Sequence, residues 1–570
     1  MEEFESAISD APRRAVSGTM ADPPTPWSAP DPPAPTARDD APATAPSGSV
    51  GRSSARDGWV NQAETYLTTH GEPVWRLIQR ATPVRDVLNR ALVHRAIMRV
   101  PTRPNPLSTM AAYTSWPSLT DRTFDGRHLP PAADPGDLPD VEVLAEEFRR
   151  REFKPCPKST VLFAHFAQWF TDGFLRSDRS QPPDPRKNTS NHEIDLCQVY
   201  GLTEAVTRQL RTGAAGQLKS QQLNGEEFPP HLCQDGVPKG EFDRLSVVAF
   251  DRLSPAQRGR LFALGGDRAN AELGYTAISV LFLREHNRIA RLLATGYPRW
   301  DDERLFQTAR NVLTVALLKI VIGDYINHIT PYHFRFSLDP RGARGPWHRQ
   351  NWMSVEFSLL YRWHSLVPST LFVGERALPI RETLFATDLL VEHGVARILG
   401  DASTQPAGRV GLRNTDEALL DIERASVRQA RSTQVASYND YREHCGFPRV
   451  TAFDQITGDA GVQRRLRELY RTVDRIEYYV GLFAEDARPD SVLPSLMGRL
   501  VGADAFSQAL SNPLLAPRVF NERTFTRLGM AIIRQTNTLS DVVRRNQPAD
   551  RPTPRITMTR PDWRRGRGTE

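Results

Sequence analysis

Between Trp59 and Asn546 the apolar residues recur at helical spacing, in segments separated by clusters of glycine, proline and polar residues. Helices are predicted over 141–151, 159–174, from about 270 to 293, and over 303–329. The last contains Val315-Ala316-Leu317-Leu318-Lys319-Ile320-Val321-Ile322, apolar nearly all round, which places it in the interior. Another helix is predicted from Trp352 towards Leu366, where apolar residues keep the helical interval and Pro368 supplies a stop. Residues 1–56 are rich in Pro, Ala, Asp and Ser and cannot bury enough apolar surface to offset chain entropy, so disorder is predicted. The Pro- and Arg-rich stretch 549–570 is read the same way. Between them lie amphipathic helical patterns over 57–115 and a long body over 116–548.

Three patches put polar chemistry into apolar surroundings. Tyr361 and His364, three residues apart, are predicted to share one helix face. A histidine held so can offer a neutral imidazole nitrogen to a haem iron beside an oxidisable tyrosine, although the same pair also suits an ordinary packed core. His165, Gln168 and Asp172 share a face of the 159–174 helix. Burying that face requires a partner for each group, supplied by a ligand pocket or by neighbouring residues. In the 57–115 segment, Trp75, Leu77, Ile78, Val84, Val87 and Leu88 oppose Arg76, Arg80, Arg85 and Arg90. That pattern fits helices lying on a membrane with arginines at the headgroups, and equally helices packed on the body.

Charge narrows the classes. There are 73 basic and 67 acidic residues, a formal net charge of +6, and the charges are mixed rather than blocked. No basic stripe with interleaved aromatics occurs, so no nucleic-acid partner is expected. Cys156, Cys197, Cys233 and Cys445 are scattered without a CxxC pair, which reads as buried thiols in a reducing compartment. The acidic start, Met1-Glu2-Glu3-Phe4-Glu5, lacks the apolar core of a secretory signal. No apolar run reaches the roughly 18–20 residues of a membrane span. The expected location is the cytoplasm, with peripheral contact on the inner face of a membrane.

The run Phe357-Ser358-Leu359-Leu360-Tyr361-Arg362-Trp363-His364 resembles the proximal segment of animal-type haem peroxidases, in the Tyr-x-x-His form of the cyclooxygenases. Resemblance extends over about 65–546. It implies a mainly α, large single-domain cyclooxygenase-like fold around one haem. It makes His364 the iron ligand and Tyr361 the radical-forming tyrosine. Within Val161-Leu162-Phe163-Ala164-His165-Phe166-Ala167-Gln168, Gln168 matches the distal glutamine, while Asp172 stands where the catalytic histidine belongs. A carboxylate there can still move the peroxide proton if its pKa suits. Arg268, sixteen residues before Arg284, resembles the arginine that polarises peroxide. Ala271 replaces the glutamate that binds haem covalently, which implies non-covalent haem b. Gly173 replaces a calcium-ligand aspartate, and no calcium is expected.

Ser437-Tyr438-Asn439-Asp440-Tyr441-Arg442 resembles the motif in which Asn439 would accept the proximal imidazole N–H and Arg442 would meet a haem propionate. Tyr325 would support Tyr361, Tyr332 would stand at a channel mouth, and Ser507 would line the channel. Arg95 or Arg99 would meet a substrate carboxylate. Leu283-Arg284-Glu285-His286-Asn287-Arg288 is read as an internal salt-bridge lattice, with His286 not a ligand. The implied function is peroxidase and dioxygenase chemistry on a fatty acid or similar lipophile, using peroxide and O2 through a Tyr361 radical. A simple haem peroxidase and a non-catalytic haem or lipid-binding protein are the alternatives.

Overall fold

The computed structural model describes residue 66, residues 70–100 and residues 123–563, apart from 134–135, 179–181, 349–350 and 489–490. The predicted tail over 1–56, the end of the amphipathic segment and residues 564–570 lie outside the described residues. Helices relevant to the site are α1 (Glu72–Arg80), α2 (Thr82–Met98), α3 (Val161–Asp172), α4 (Leu273–Gly296), α5 (Asp302–Ile320), α6 (Val355–Leu360), α7 (Leu420–Ser432) and α8 (Ser495–Leu510). The fold is mainly helical. Among the described residues the sheets are four two-stranded antiparallel pairs, including Pro155–Thr160 against Pro406–Gly408.

α4 and α5 form the interior. α4 packs on α5, α3, Val395–Ala402 and Leu539–Asn546, while α5 also packs on Glu522–Gln535. The side chains explain this: Ile278, Phe282, Ile289, Val312, Leu313 and Leu318 are fully buried, each worth roughly 1.5–3 kcal/mol in area removed from water. Both starts are capped, by Glu272 accepting from the Gly274 and Tyr275 N–H groups and by Asp301 accepting from that of Arg304. The stretch Asp302–Ile329 is long and apolar enough to cross a bilayer by composition, but 83% of its most apolar window is buried within the protein. It is a core helix.

α5 runs on through a wide π-helical turn, Val321–Ile326, into Asn327–Ile329. Asn327 then exchanges hydrogen bonds with the Phe336 backbone, and His328 joins Ser159 to Thr559. These contacts pin the loop that carries Tyr332.

Two expectations fail here. The helix expected through His364 ends at Leu360, and His364 instead opens a separate 3-10 turn, His364–Leu366. Tyr361 stacks on Trp363 with ring centroids 4.5 Å apart, a contact between positions that do not face each other on a helix. That stacking accompanies the break. Nor is 549–563 a loose tail. Arg551 pairs with Glu226, Thr559 bridges to Ser159, and Met558 is buried. Backbone pairing and two apolar anchors, Ile556 and Met558, outweigh the polar composition on which disorder was predicted.

Candidate active site

α6 starts from Ser354, whose hydroxyl accepts the Phe357 N–H, and aims Tyr361 into the protein. The Tyr361 phenol is enclosed by Trp363, by Phe357 (centroids 4.8 Å, edge-on) and by the buried Tyr325. Tyr325 is in turn walled by Phe163, Phe166 and Phe170 of α3 at 5.4–5.8 Å. Burial, then the Tyr361 phenol itself, hold the Tyr325 hydroxyl well above the ordinary tyrosine range. Burial likewise raises Tyr361. Both phenols stay protonated, so oxidation of either must release a proton as well as an electron.

His364 presents Nδ1 to Glu423 Oε1 at 3.1 Å. Glu423, on α7, is 1% exposed, and it also accepts hydrogen bonds from Thr415 and from the Tyr479 hydroxyl at 2.5 Å. The His364 Nε2 makes no hydrogen bond among the described residues. The expected partner Asn439 is elsewhere: its amide donates to the Val450 carbonyl and Asp474, and its oxygen accepts the Val450 N–H. Its capacity is consumed in shaping that loop. Arg442 is likewise committed, to Glu485 at 3.3 Å, the Tyr438 hydroxyl and the Pro448 carbonyl.

On α3, Gln168 is the one exposed residue, all the others being buried. Asp172 is different. Burial raises its carboxyl, but Arg268 and Arg176 outweigh that and, with the Tyr275 hydroxyl at 2.8 Å, hold it below the ordinary value of 3.8. Oδ1 meets Arg268, while Oδ2 meets Arg176 at 3.1 Å and Tyr275. The residue expected to shuttle a proton is an ionised, fully engaged partner of Arg268. His165 does not replace it: Nδ1 lies 3.2 Å from Glu272, and the ring presses on Gly274 so closely that a Cβ there would sit 2.2 Å from Cγ.

In the 283–288 motif, Arg284 pairs with Glu226, Glu285 with Arg288 and Arg545, and His286 lies between the Tyr200 hydroxyl and the Gly216 carbonyl. Burial lowers His286 to about 4, a neutral internal histidine. His192 accepts the Met353 N–H and anchors the approach to α6. Ser507 donates to the Asp504 carbonyl of its own helix. Tyr332 sits edge-on to Phe336. Arg95 is exposed on α2 and Arg99 half-buried at its end.

Three residues escaped the sequence reading. Glu423 and Arg499 have no motif to announce them, and Arg362 lay unremarked inside one. Arg499 of α8 donates to the Cys445 carbonyl, lies over Phe447 at 4.6 Å, and is within electrostatic reach of Tyr332 and Arg95. Among the described residues it has no carboxylate at ion-pair distance. The only sequence signal was an arginine in the mostly apolar first half of that helix.

A histidine oriented by a carboxylate, an enclosed tyrosine three residues before it, and a glutamine left exposed on a buried helix are side chains that a haem could use. The Nε2 of His364 and the exposed Gln168 are the groups such a cofactor would meet. Residues 173–558 match the family model for animal haem peroxidases, and the chain belongs to that family of oxidoreductases. It is similar to prostaglandin G/H synthase 1 of Rattus norvegicus, 33% identical over 474 residues, covering 81% of this chain and 76% of that one. To prostaglandin G/H synthase 2 of Equus caballus it is 32% identical with the same coverage. Among solved structures, peroxidase A of Dictyostelium discoideum superposes with a TM-score of 0.64 at 20% identity, covering 77% of this chain and 95% of that one. The fatty acid alpha-dioxygenase of Oryza sativa gives 0.63 at 19% identity, covering 75% and 81%. These two likenesses concern the fold.

Proposed function

We propose that the protein is a haem-dependent peroxidase and dioxygenase that oxidises a fatty acid or similar lipophile through a radical on Tyr361. The observation that carries this is the enclosed Tyr361 phenol, set against Tyr325 and three residues from His364. Haem b, when bound, supplies the oxidising equivalent drawn from peroxide. His364 would hold it non-covalently through Nε2, oriented by Glu423, and Gln168 would hydrogen-bond peroxide on the other side. Asp172 then acts as a positioning residue that keeps Arg268 in place. Tyr361 loses an electron and its phenolic proton. The phenoxyl then takes a hydrogen atom from a lipid C–H bond, O2 adds to the carbon radical, and Tyr361 returns a hydrogen atom to give a hydroperoxide.

A carboxylate on the substrate suits Arg499 better than Arg95 or Arg99, because Arg499 is half-buried within electrostatic reach of Tyr332 and has no carboxylate at ion-pair distance among the described residues. Its guanidinium edge can bind a carboxylate bidentately. Val74, Leu77, Val84, Val87 and Met98 leave α1 and α2 with exposed apolar side chains, Leu77 being 69% exposed. α2 packs on α8, and Trp75 meets Phe334 near Tyr332. These exposed side chains support peripheral attachment to a membrane surface, with lipid entering from the bilayer side.

The test is oxygen uptake by the haem-loaded protein with a panel of fatty acids and a peroxide initiator. Tyr361→Phe should abolish lipid-dependent uptake and leave oxidation of a small phenol by peroxide within a few-fold. Unchanged uptake in that variant rejects the radical reading. No uptake in the wild type with phenol oxidation intact favours a simple peroxidase.

A further inference from the structure

The surroundings of Arg362 are unusual for a guanidinium. Burial lowers its pKa, yet Nη2 meets only neutral groups: Gln429 Oε1 at 3.1 Å, Ser177 Oγ at 3.4 Å and Ser358 Oγ at 3.5 Å. Nε is buried with no hydrogen bond at all. Among the described residues no carboxylate lies within ion-pair distance of it. A half-buried cation with neutral neighbours and a buried, unmet N–H is costly unless an anion completes the site. Of the buried arginines, Arg176, Arg284 and Arg413 each have an acidic partner, and Arg127 has every nitrogen met by a backbone carbonyl, of Leu129, Thr433 and Gln434.

Its position identifies the anion. Arg362 lies within electrostatic reach of Tyr479 and Glu423, on the side of His364, and of Arg268 and Asp172, on the side of Gln168. Its hydrogen-bond partners, Ser358 on α6, Gln429 on α7 and Ser177 just beyond α3, place it between the segment carrying His364 and the Asp172 end of α3. Glu423 does not serve as the counter-charge, since its oxygens are turned to His364, Thr415 and Tyr479. The Nε and Nη2 hydrogens form one edge of the fork, the geometry that receives both oxygens of a carboxylate. The hydroxyls of Ser177 and Ser358, at present accepting from Nη2, each have a hydrogen to donate to the same anion.

We propose that Arg362, with Ser177 and Ser358, binds a propionate carboxylate of the haem. The assignment rests on the haem-binding reading, and it replaces Arg442, whose charge Glu485 already meets. It predicts that removing the propionate charge and removing the arginine weaken the same contact.

The experiment measures the rate at which haem leaves the full-length protein for an excess of an apoprotein acceptor. Protein is loaded either with haem b or with its dimethyl ester. Wild type should lose the ester about 10–100-fold faster than haem b. Arg362→Gln should lose haem b at close to the ester's rate and show no discrimination between the two. Arg362→Lys, which keeps the charge but not the fork, should fall between. Wild type that releases both at one rate overturns the proposal, whether or not the variants fold. So does an Arg362→Gln protein with native unfolding temperature and undiminished preference for haem b. Absence of any Soret band in wild type would reject the haem reading instead.

Discussion

Glu423 Oε1 stands 3.1 Å from Nδ1 of His364, and the two residues come from segments 59 positions apart in sequence. An imidazole that gives its second proton to a carboxylate is held in one tautomer and orientation, and it becomes a stronger donor at the other nitrogen. Glu423→Gln keeps the size and removes the charge. It is expected to raise the haem reduction potential and to loosen haem about 10–100-fold, read by spectroelectrochemistry and by haem transfer. Glu423→Asp should recover part of both. An unshifted potential in the glutamine variant would show that the contact is only packing.

Asp172 makes stability depend on acid. Burial works against its ionisation, Arg268 and Arg176 more than compensate, and the folded value falls below the ordinary 3.8. The group's stabilisation is complete above about pH 4 and is lost as the pH drops through the folded value. Asp172→Asn leaves Arg268 without its partner, and should cost about 3–5 kcal/mol at pH 7 and progressively less below pH 4. Urea titrations at pH 7 and pH 3 test this. A gap that stays constant across that range contradicts the ion-pair assignment.

Arg499→Gln should raise KM for a fatty acid by about 10–100-fold, as for a lost charge-assisted pair of roughly 1.5–3 kcal/mol, while kcat changes little. The methyl ester of the same acid provides the internal control. Its KM should be nearly the same in both proteins, and an equal rise for acid and ester would argue for a packing defect.

The apolar faces of α1 and α2 give a separate test. Leu77→Glu combined with Val84→Glu should abolish co-sedimentation with anionic phospholipid vesicles, since each apolar side chain removed from water contributes about 1.5–3 kcal/mol. Oxidation of a small soluble phenol should be unaffected. Retained vesicle binding by this double variant would assign the patch another purpose.

Much of the interior was legible because long apolar periodicity leaves few choices. α3, α4 and α5 lie within a few residues of the predicted 159–174, 270–293 and 303–329, the last once its π-helical turn and Asn327–Ile329 are included. The motif at 283–288 was also legible as a lattice, since its charges recur at helical spacing and find partners in Glu226 and Arg545. Tyr325 does meet Tyr361 as expected, but the expected partner of His364 failed. Asn439 carried the familiar motif, but Val450 and Asp474 claimed it; Glu423 carried none, and the fold delivered it to His364. The helix boundary at Leu360 was missed because stacking of Tyr361 on Trp363 is a tertiary preference, invisible to periodicity. The same holds for 549–563, where Thr559 docks against Ser159, a residue far earlier in the chain.

The wide turn at Val321–Ile326 has a consequence for how this site can change. A π-helical turn takes up about one residue more than an α-helical turn, so deleting a single residue there would close it to an α-helical turn and leave the helix beyond nearly in phase. Tyr325 faces Tyr361 from within this turn, and Asn327 and His328 pin the 330–339 loop just beyond it. A deletion would therefore re-aim the Tyr325 phenol, which lies inside the turn, while leaving Asn327 and His328 near their present places. The facing of the two tyrosines is set by one local irregularity, and the loop that carries Tyr332 is anchored independently of it.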